Sequence, residues 1–218
     1  NDAVREFADA HPDRYIPVAT LPFVGEGYPD ELVRCLDELD MAGVQIFSHT
    51  PQHPVDSEGH RDLYRVAAGR DVPVWIHPQL HQWQPWDSDY LLHKMLGWPF
   101  DTSLAMGRLV FGGVLSEFPD LAFIPHHMGA MIPHFIDRME MLHAVTVEYG
   151  ELYPFPVEDF RGEVRELFGR FYGDTARAGA TGVLEDGFDF YGADHLVFGT
   201  DYPFGPEEGR AFMRAEVE

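Results

Sequence analysis

Short apolar runs alternate with helical patterns along this whole chain, and that alternation restricts the fold more than any other feature. The runs fall at 15–21, 44–48, 72–76, 121–125, 171–173 and 196–198. Between them, apolar residues recur at helical spacing, as in Leu32, Val33, Leu36 and Leu39, or Phe135, Ile136, Met139, Leu142 and Val145. Helices are expected over 29–42, 60–68, 102–118 (with Asp101 as N-cap), 133–149, 158–168 and 176–185, with another from Pro206. No two strand patterns are consecutive, so helical crossovers must join them, and the strands are then parallel with right-handed connections. A doubly wound sheet and a (β/α)8 barrel both satisfy this. The nucleotide-binding version of the former needs a Gly-rich phosphate loop after a strand, and none is present. No repeat beyond the βα unit and no break in composition divides the chain, so residues 1–218 read as one domain. The longest irregular stretch, 79–100, is rich in Trp, His and Pro and has the length of a lid or binding loop.

Charge excludes several partners. Thirty-seven acids against 15 bases give a net charge of −22, which opposes nucleic acid and anionic membrane surfaces. No apolar run reaches the roughly 20 residues of a membrane span, and no signal-peptide pattern opens the chain. The single cysteine, Cys35, allows no internal disulfide and fits a reducing cytoplasm, either as a small packed residue or as a partly exposed thiol. The sequence opens and stops inside helical patterns without an initiator Met, so further sequence is expected at both ends.

The residues standing just after the strands carry the chemistry. They are His49, His77, the pair His126 and His127, Asp174 and Asp201. In a parallel barrel these ends converge on one mouth, where the loops build the active site. Any one of them has an ordinary alternative, a hydrogen-bonded histidine or an aspartate capping a turn. Recurrence at equivalent places in a repeat points instead to a shared site. Asp201 stands at the end of a buried run, after Gly199 and before Pro203, and a carboxylate there is costly unless paired or bound to a cation. Imidazole nitrogen and carboxylate oxygen suit Zn²⁺, Fe²⁺ or Mn²⁺, and a catalytic ion takes about three protein ligands. His77 and Asp201 provide two. A strand supplies two more as His-x-His, because residues i and i+2 point the same way, and no strand end here has that pattern.

Four stretches carry a family resemblance: His11-Pro-Asp-Arg-Tyr-Ile16, Val74-Trp-Ile-His-Pro78, His127-Met-Gly-Ala-Met-Ile-Pro133 and Phe198-Gly-Thr-Asp-Tyr-Pro203. Together they resemble the amidohydrolase-2 branch of the amidohydrolase superfamily, which includes aminocarboxymuconate-semialdehyde decarboxylase and related aromatic-acid decarboxylases. The resemblance covers nearly the whole chain. It implies an α/β fold, a metal-dependent (β/α)8 TIM-type barrel of which this chain lacks the first one or two strands. The strands present would be the third to the eighth, and a His-x-His or Glu-x-His ligand pair would lie upstream of Asn1. His77 and Asp201 match metal ligands, and His127, followed by a Gly-rich turn and Pro133, matches a catalytic histidine. Ala130 departs from the pattern, standing where many relatives have Gly. His126 has the wrong spacing, and since neighbours on a strand face opposite ways it is expected to pack or support.

The reaction implied is non-oxidative decarboxylation of a small aromatic or unsaturated carboxylic acid, with His127 and Asp201 as the catalytic pair. Hydrolysis of a lactone, amide or ester needs the same ligands and stays open. So does an inactive barrel kept for binding or assembly, which the absent His-x-His favours. Zn²⁺ is the expected ion, with Mn²⁺ or Fe²⁺ the other ions such donors take. His49, His81, Trp83 and Trp86 are the expected substrate-binding residues, the indoles (Trp98 too) stacking on a planar substrate. Arg108 and Arg138 have the fork that grips a carboxylate, but both lie on helical patterns and read as exposed or structural. A homodimer is implied by the resemblance.

Overall fold

Four of the apolar runs pair side by side as parallel strands because each is too short and too apolar to sit anywhere but between helix layers. The computed structural model describes residues 1–21, 27–50, 53–79, 89–149, 163–176 and 181–204. Strands β1 (Ala19–Thr20), β2 (Val44–Phe47), β5 (Val74–His77) and β6 (Phe123–Pro125) form one parallel sheet in that order. Register places Val44 beside Val74 and Phe47 beside His77. Strands β7 (Gly173–Asp174) and β8 (Leu196–Val197) form a second parallel pair. The Tyr172 N–H donates to the Phe123 carbonyl (2.9 Å), which sets β7 beside β6. The parallel strands therefore follow one another in chain order, as in the wall of a (β/α)8 TIM-type barrel.

Alternation along β2 and β5 sorts side chains onto two faces. Val44, Ile46, Val74 and Ile76 are buried with Leu32, Leu63, Tyr64 and Leu109 in a single core. Gln45, Phe47, Trp75 and His77 are half-buried on the other face. The helices that cover the core side are α2 (Tyr28–Asp37), α3 (Glu58–Ala68) and α4 (Trp98–Phe111), with α6 (Ile132–Glu148) and α8 (Thr181–Tyr191) further along. Cys35 is fully buried on α2, the packed alternative of the two expected. Among the described residues no helix is long and apolar enough to cross a membrane.

Several elements differ from the sequence expectation. Strand β3 (His49–Thr50) turns back on β4 (His53–Pro54) as a small antiparallel pair, so two strand segments do follow one another. The helix expected over 102–118 starts earlier, at Trp98, with Pro99 in its first turn where a missing N–H costs nothing. Asp101 is thus no N-cap; it is a buried residue inside α4. The same helix also stops earlier. Gly113 takes a left-handed conformation (φ 79°) and separates α4 from α5 (Val114–Glu117).

Candidate active site at the strand ends

His77 is the last residue of β5, and the Ser48 N–H holds its carbonyl at 2.8 Å. Its Nδ1 lies 2.7 Å from the Pro78 carbonyl oxygen. A carbonyl only accepts, so Nδ1 carries the proton and Nε2 is left with its lone pair. Around this ring stand His126 (centroids 5.1 Å apart), Phe47 (6.0 Å) and Trp98 (6.2 Å). The His126 ring is in turn 5.9 Å from that of His127. His127 Nδ1 sits 2.8 Å from the Ala176 carbonyl, so by the same argument its Nε2 is the basic nitrogen. Burial pushes His77 below its ordinary value; the charge on His127 adds to this, and the Asp201 carboxylate opposes it. His77 thus lies within electrostatic reach of both His127 and Asp201.

The chain makes a strained turn to deliver His127. Four consecutive residues have positive φ: His127 (61°), Met128 (60°), Gly129 (67°) and Ala130 (56°). Only the glycine is at ease there; each of the others costs on the order of 1–3 kcal/mol, a strain that persists only where surrounding structure enforces it. The enforcement is visible. Asp174 Oδ1 accepts the His127 N–H (3.0 Å) and the Ala176 N–H (2.9 Å). The Met131 N–H donates to Ser103 Oγ (3.0 Å), whose hydroxyl donates to the Pro99 carbonyl (2.7 Å). Tyr191 Oη donates to the Met128 carbonyl (3.4 Å). Burial raises the Asp174 carboxyl above its ordinary value, against the opposing pull of His127 and the backbone N–H groups.

The positive-φ turn begins at His127, one residue after His126. His126 belongs to the cluster, wedged between His77 and His127. Burial, then the charges of those two neighbours, push its imidazole down to about 3. Its Nε2 is buried and has no hydrogen-bond partner among the described residues.

Asp201 follows β8 with φ 56°, and its carbonyl accepts the Phe204 N–H (2.7 Å). Thr175 and Gly199 clasp the ends of β7 and β8: the Gly199 N–H donates to Thr175 Oγ1 (3.0 Å), which donates to the Gly199 carbonyl (2.9 Å). His49 Nδ1 lies 3.1 Å from Asp101 Oδ1. His81, Trp83 and Trp86 lie outside the described residues. Arg108 takes the structural role, gripping Asp56 through Nε (2.6 Å) and Nη2 (2.9 Å), and Arg138 is exposed on α6. A cavity of about 450 Å³ opens at the opposite ends of the strands, lined by Val72, Phe118, Leu121, Ile124, Tyr172 and Val197. It touches none of the clustered histidines, and in this fold that end serves stability.

Among the described residues no group of three or more His, Cys, Asp or Glu is spaced to hold a metal ion. The donors the strand ends do present, a neutral imidazole Nε2 on His77 and the Asp201 carboxylate, are of the kind a divalent ion takes. They are one short of the usual three.

The model of the amidohydrolase family matches residues 1–217. A 2-amino-3-carboxymuconate-6-semialdehyde decarboxylase from Dictyostelium discoideum is 28% identical over 209 residues, 94% of this chain and 55% of the relative. A gamma-resorcylate decarboxylase from a Rhizobium species is 27% identical, with 94% of this chain and 64% of the relative covered. The chain therefore spans less than two thirds of the length of these curated relatives. Among solved structures, a dihydroxybenzoic acid decarboxylase from a Polaromonas species superposes with a TM-score of 0.83 at 24% identity, covering 97% of this chain and 66% of that one. That structure holds manganese and the inhibitor 2-nitroresorcinol.

Proposed function

The chain belongs to the amidohydrolase family, and from that premise we propose that it serves the metal-dependent, non-oxidative decarboxylation of a small aromatic or unsaturated carboxylic acid. The observation that carries the reading is the ring cluster of His77, His126 and His127, from two separate strand ends, with the Asp201 carboxylate near enough to act on His77. His77 Nε2 and Asp201 would hold the ion. When bound, such an ion polarises substrate oxygens and offsets charge that develops in the reaction. The donor chemistry favours Zn²⁺, while the Polaromonas relative holds manganese.

The chain's own residues account for the proton. As the carbon–carbon bond to the carboxylate breaks, its electron pair stays on the substrate carbon, which must take up a proton. His127 is held by its Nδ1–H on the Ala176 carbonyl and by its N–H on Asp174, so Nε2 is the atom that carries the proton to that carbon. Trp98, beside His77, offers a flat apolar face for a planar substrate. His49, His81, Trp83 and Trp86 remain the proposed substrate contacts, and a homodimer in the cytoplasm the proposed setting.

CO₂ release from a panel of hydroxybenzoates and muconate semialdehydes tests this reading. Turnover of lactones, amides or esters without CO₂ would replace it with hydrolysis at the same residues. Turnover of neither would favour an inactive barrel.

A further inference from the structure

We propose that Asp101 is a positioning residue for His77, acting through the peptide bond that joins Pro78 to Gln79. The proposal rests on the reading of His77 as a metal ligand.

Asp101 is 3% exposed in the first turn of α4. Burying a carboxylate is costly, so its partners show what it is for. Its Oδ2 accepts the hydroxyl of Ser48 and, at 3.0 Å, the N–H of Gln79. The same N–H is 2.9 Å from Ser48 Oγ. Its other oxygen, Oδ1, is 3.1 Å from His49 Nδ1. The Gln79 N–H and the Pro78 carbonyl are the two ends of one planar amide. That carbonyl is the acceptor of the His77 Nδ1–H at 2.7 Å.

A continuous line therefore runs from the Asp101 carboxylate to the Gln79 N–H, across the amide to the Pro78 oxygen, and on to the His77 ring. An anion bound at the N–H end of an amide makes its oxygen a better acceptor, because hydrogen bonds in series polarise one another. The consequence for His77 is a fixed ring plane, a fixed tautomer and a more strongly donating Nε2. A metal-bound histidine usually gains these from a carboxylate, a backbone carbonyl or a water in direct contact. In this chain the contact is a carbonyl, and its peptide is interposed before the carboxylate. A neutral residue at position 101 would brace the same turn without the cost of burying charge, so the charge is the feature the arrangement uses.

Asp101→Asn tests this in the whole protein: the amide oxygen still accepts the Ser48 and Gln79 bonds, while the charge is lost and the oxygen facing His49 becomes an NH2 group. Two quantities are read. The first is the His77 Nδ1–H proton resonance in metal-free, imidazole-labelled protein; the second is the Mn²⁺ dissociation constant from chelator competition. The expected result is an upfield move of that proton and a 10- to 100-fold weaker Mn²⁺ affinity, the range usual for loss of a metal ligand's supporting partner. Asp56→Asn, which breaks the exposed pair with Arg108, changes neither quantity. If Asp101→Asn does not fold, Ser48→Ala removes the shared hydroxyl and leaves the carboxylate; it moves both quantities in the same direction, by a few-fold in affinity. An unmoved proton with affinity within twofold of the parent overturns the proposal while leaving His77 as a ligand. A moved proton in a protein that binds no Mn²⁺ supports the line to His77 and removes the metal reading instead.

Discussion

Gly129 lies at the centre of the turn that presents His127, and replacing it with alanine tests whether the turn is enforced as described. Two costs follow from the geometry. At φ +67° an L-residue loses about 1–2 kcal/mol relative to glycine. The new Cβ would also overlap the hydroxyl of Tyr191 and lie 3.2 Å from Met106 Cε. Tyr191 is 6% exposed and cannot swing into solvent, so the clash is relieved by pushing the ring back. Overpacking of this kind costs about 1–3 kcal/mol. Loss of the hydroxyl's bond to the Met128 carbonyl adds about 0.5–1.5 kcal/mol. A restricted unfolded chain returns roughly 0.4–1 kcal/mol. The sum is a destabilisation of about 2–6 kcal/mol, measurable as a lower urea midpoint at unchanged slope. Tyr191→Phe removes the overlapping oxygen, so the double variant costs less than the two single changes added, with a coupling of about 1 kcal/mol or more. A cost below 1 kcal/mol for Gly129→Ala, additive with Tyr191→Phe, would refute the packing account of the turn.

Other outcomes follow from the same geometry. His127→Ala lowers kcat by about 10²- to 10⁴-fold, the usual share of a positioned acid or base, with the urea midpoint moved little; kcat within threefold of the parent in steady-state assays would remove His127 from the proton transfer. His60, buried between Tyr28 and Tyr64, is pushed down to about 4, chiefly by burial. The unfolded state then binds more protons than the folded state between pH 6.5 and 4. The stability His60 contributes is therefore present above pH 6.5 and lost as pH falls through that window. Its size is about 3 kcal/mol. Denaturation of His60→Phe across that range should show a correspondingly flatter fall, and an unchanged slope would place the acid sensitivity elsewhere.

The alternation of strand and helix was legible because buried parallel strands and amphipathic helices leave different periods in the sequence. Val74, Ile76 and the core face of α2 are placed as their spacing suggests. Strand ends were harder to read. The run 15–21 yields only Ala19–Thr20 as strand, and the His49–Thr50 pairing with His53–Pro54 leaves no period of two to see. Asp101 reads as a cap because Asp is among the preferred residues at a helix start; Trp98-Pro99, with proline in the first turn, is the signal that the helix begins earlier. His126 is expected to pack or support because neighbours on a strand face opposite ways, and that rule ends where φ turns positive at His127. The part played by Asp174 was not legible at all, since its partners are backbone N–H groups 47 residues away and next door.

Metal content of purified variants bears most directly on the central claim, that imidazole and carboxylate from distant strand ends share one divalent ion. His77→Ala and Asp201→Ala are expected to lose the ion, and His127→Ala to keep it while losing turnover. A full complement of metal in both His77→Ala and Asp201→Ala would contradict the claim.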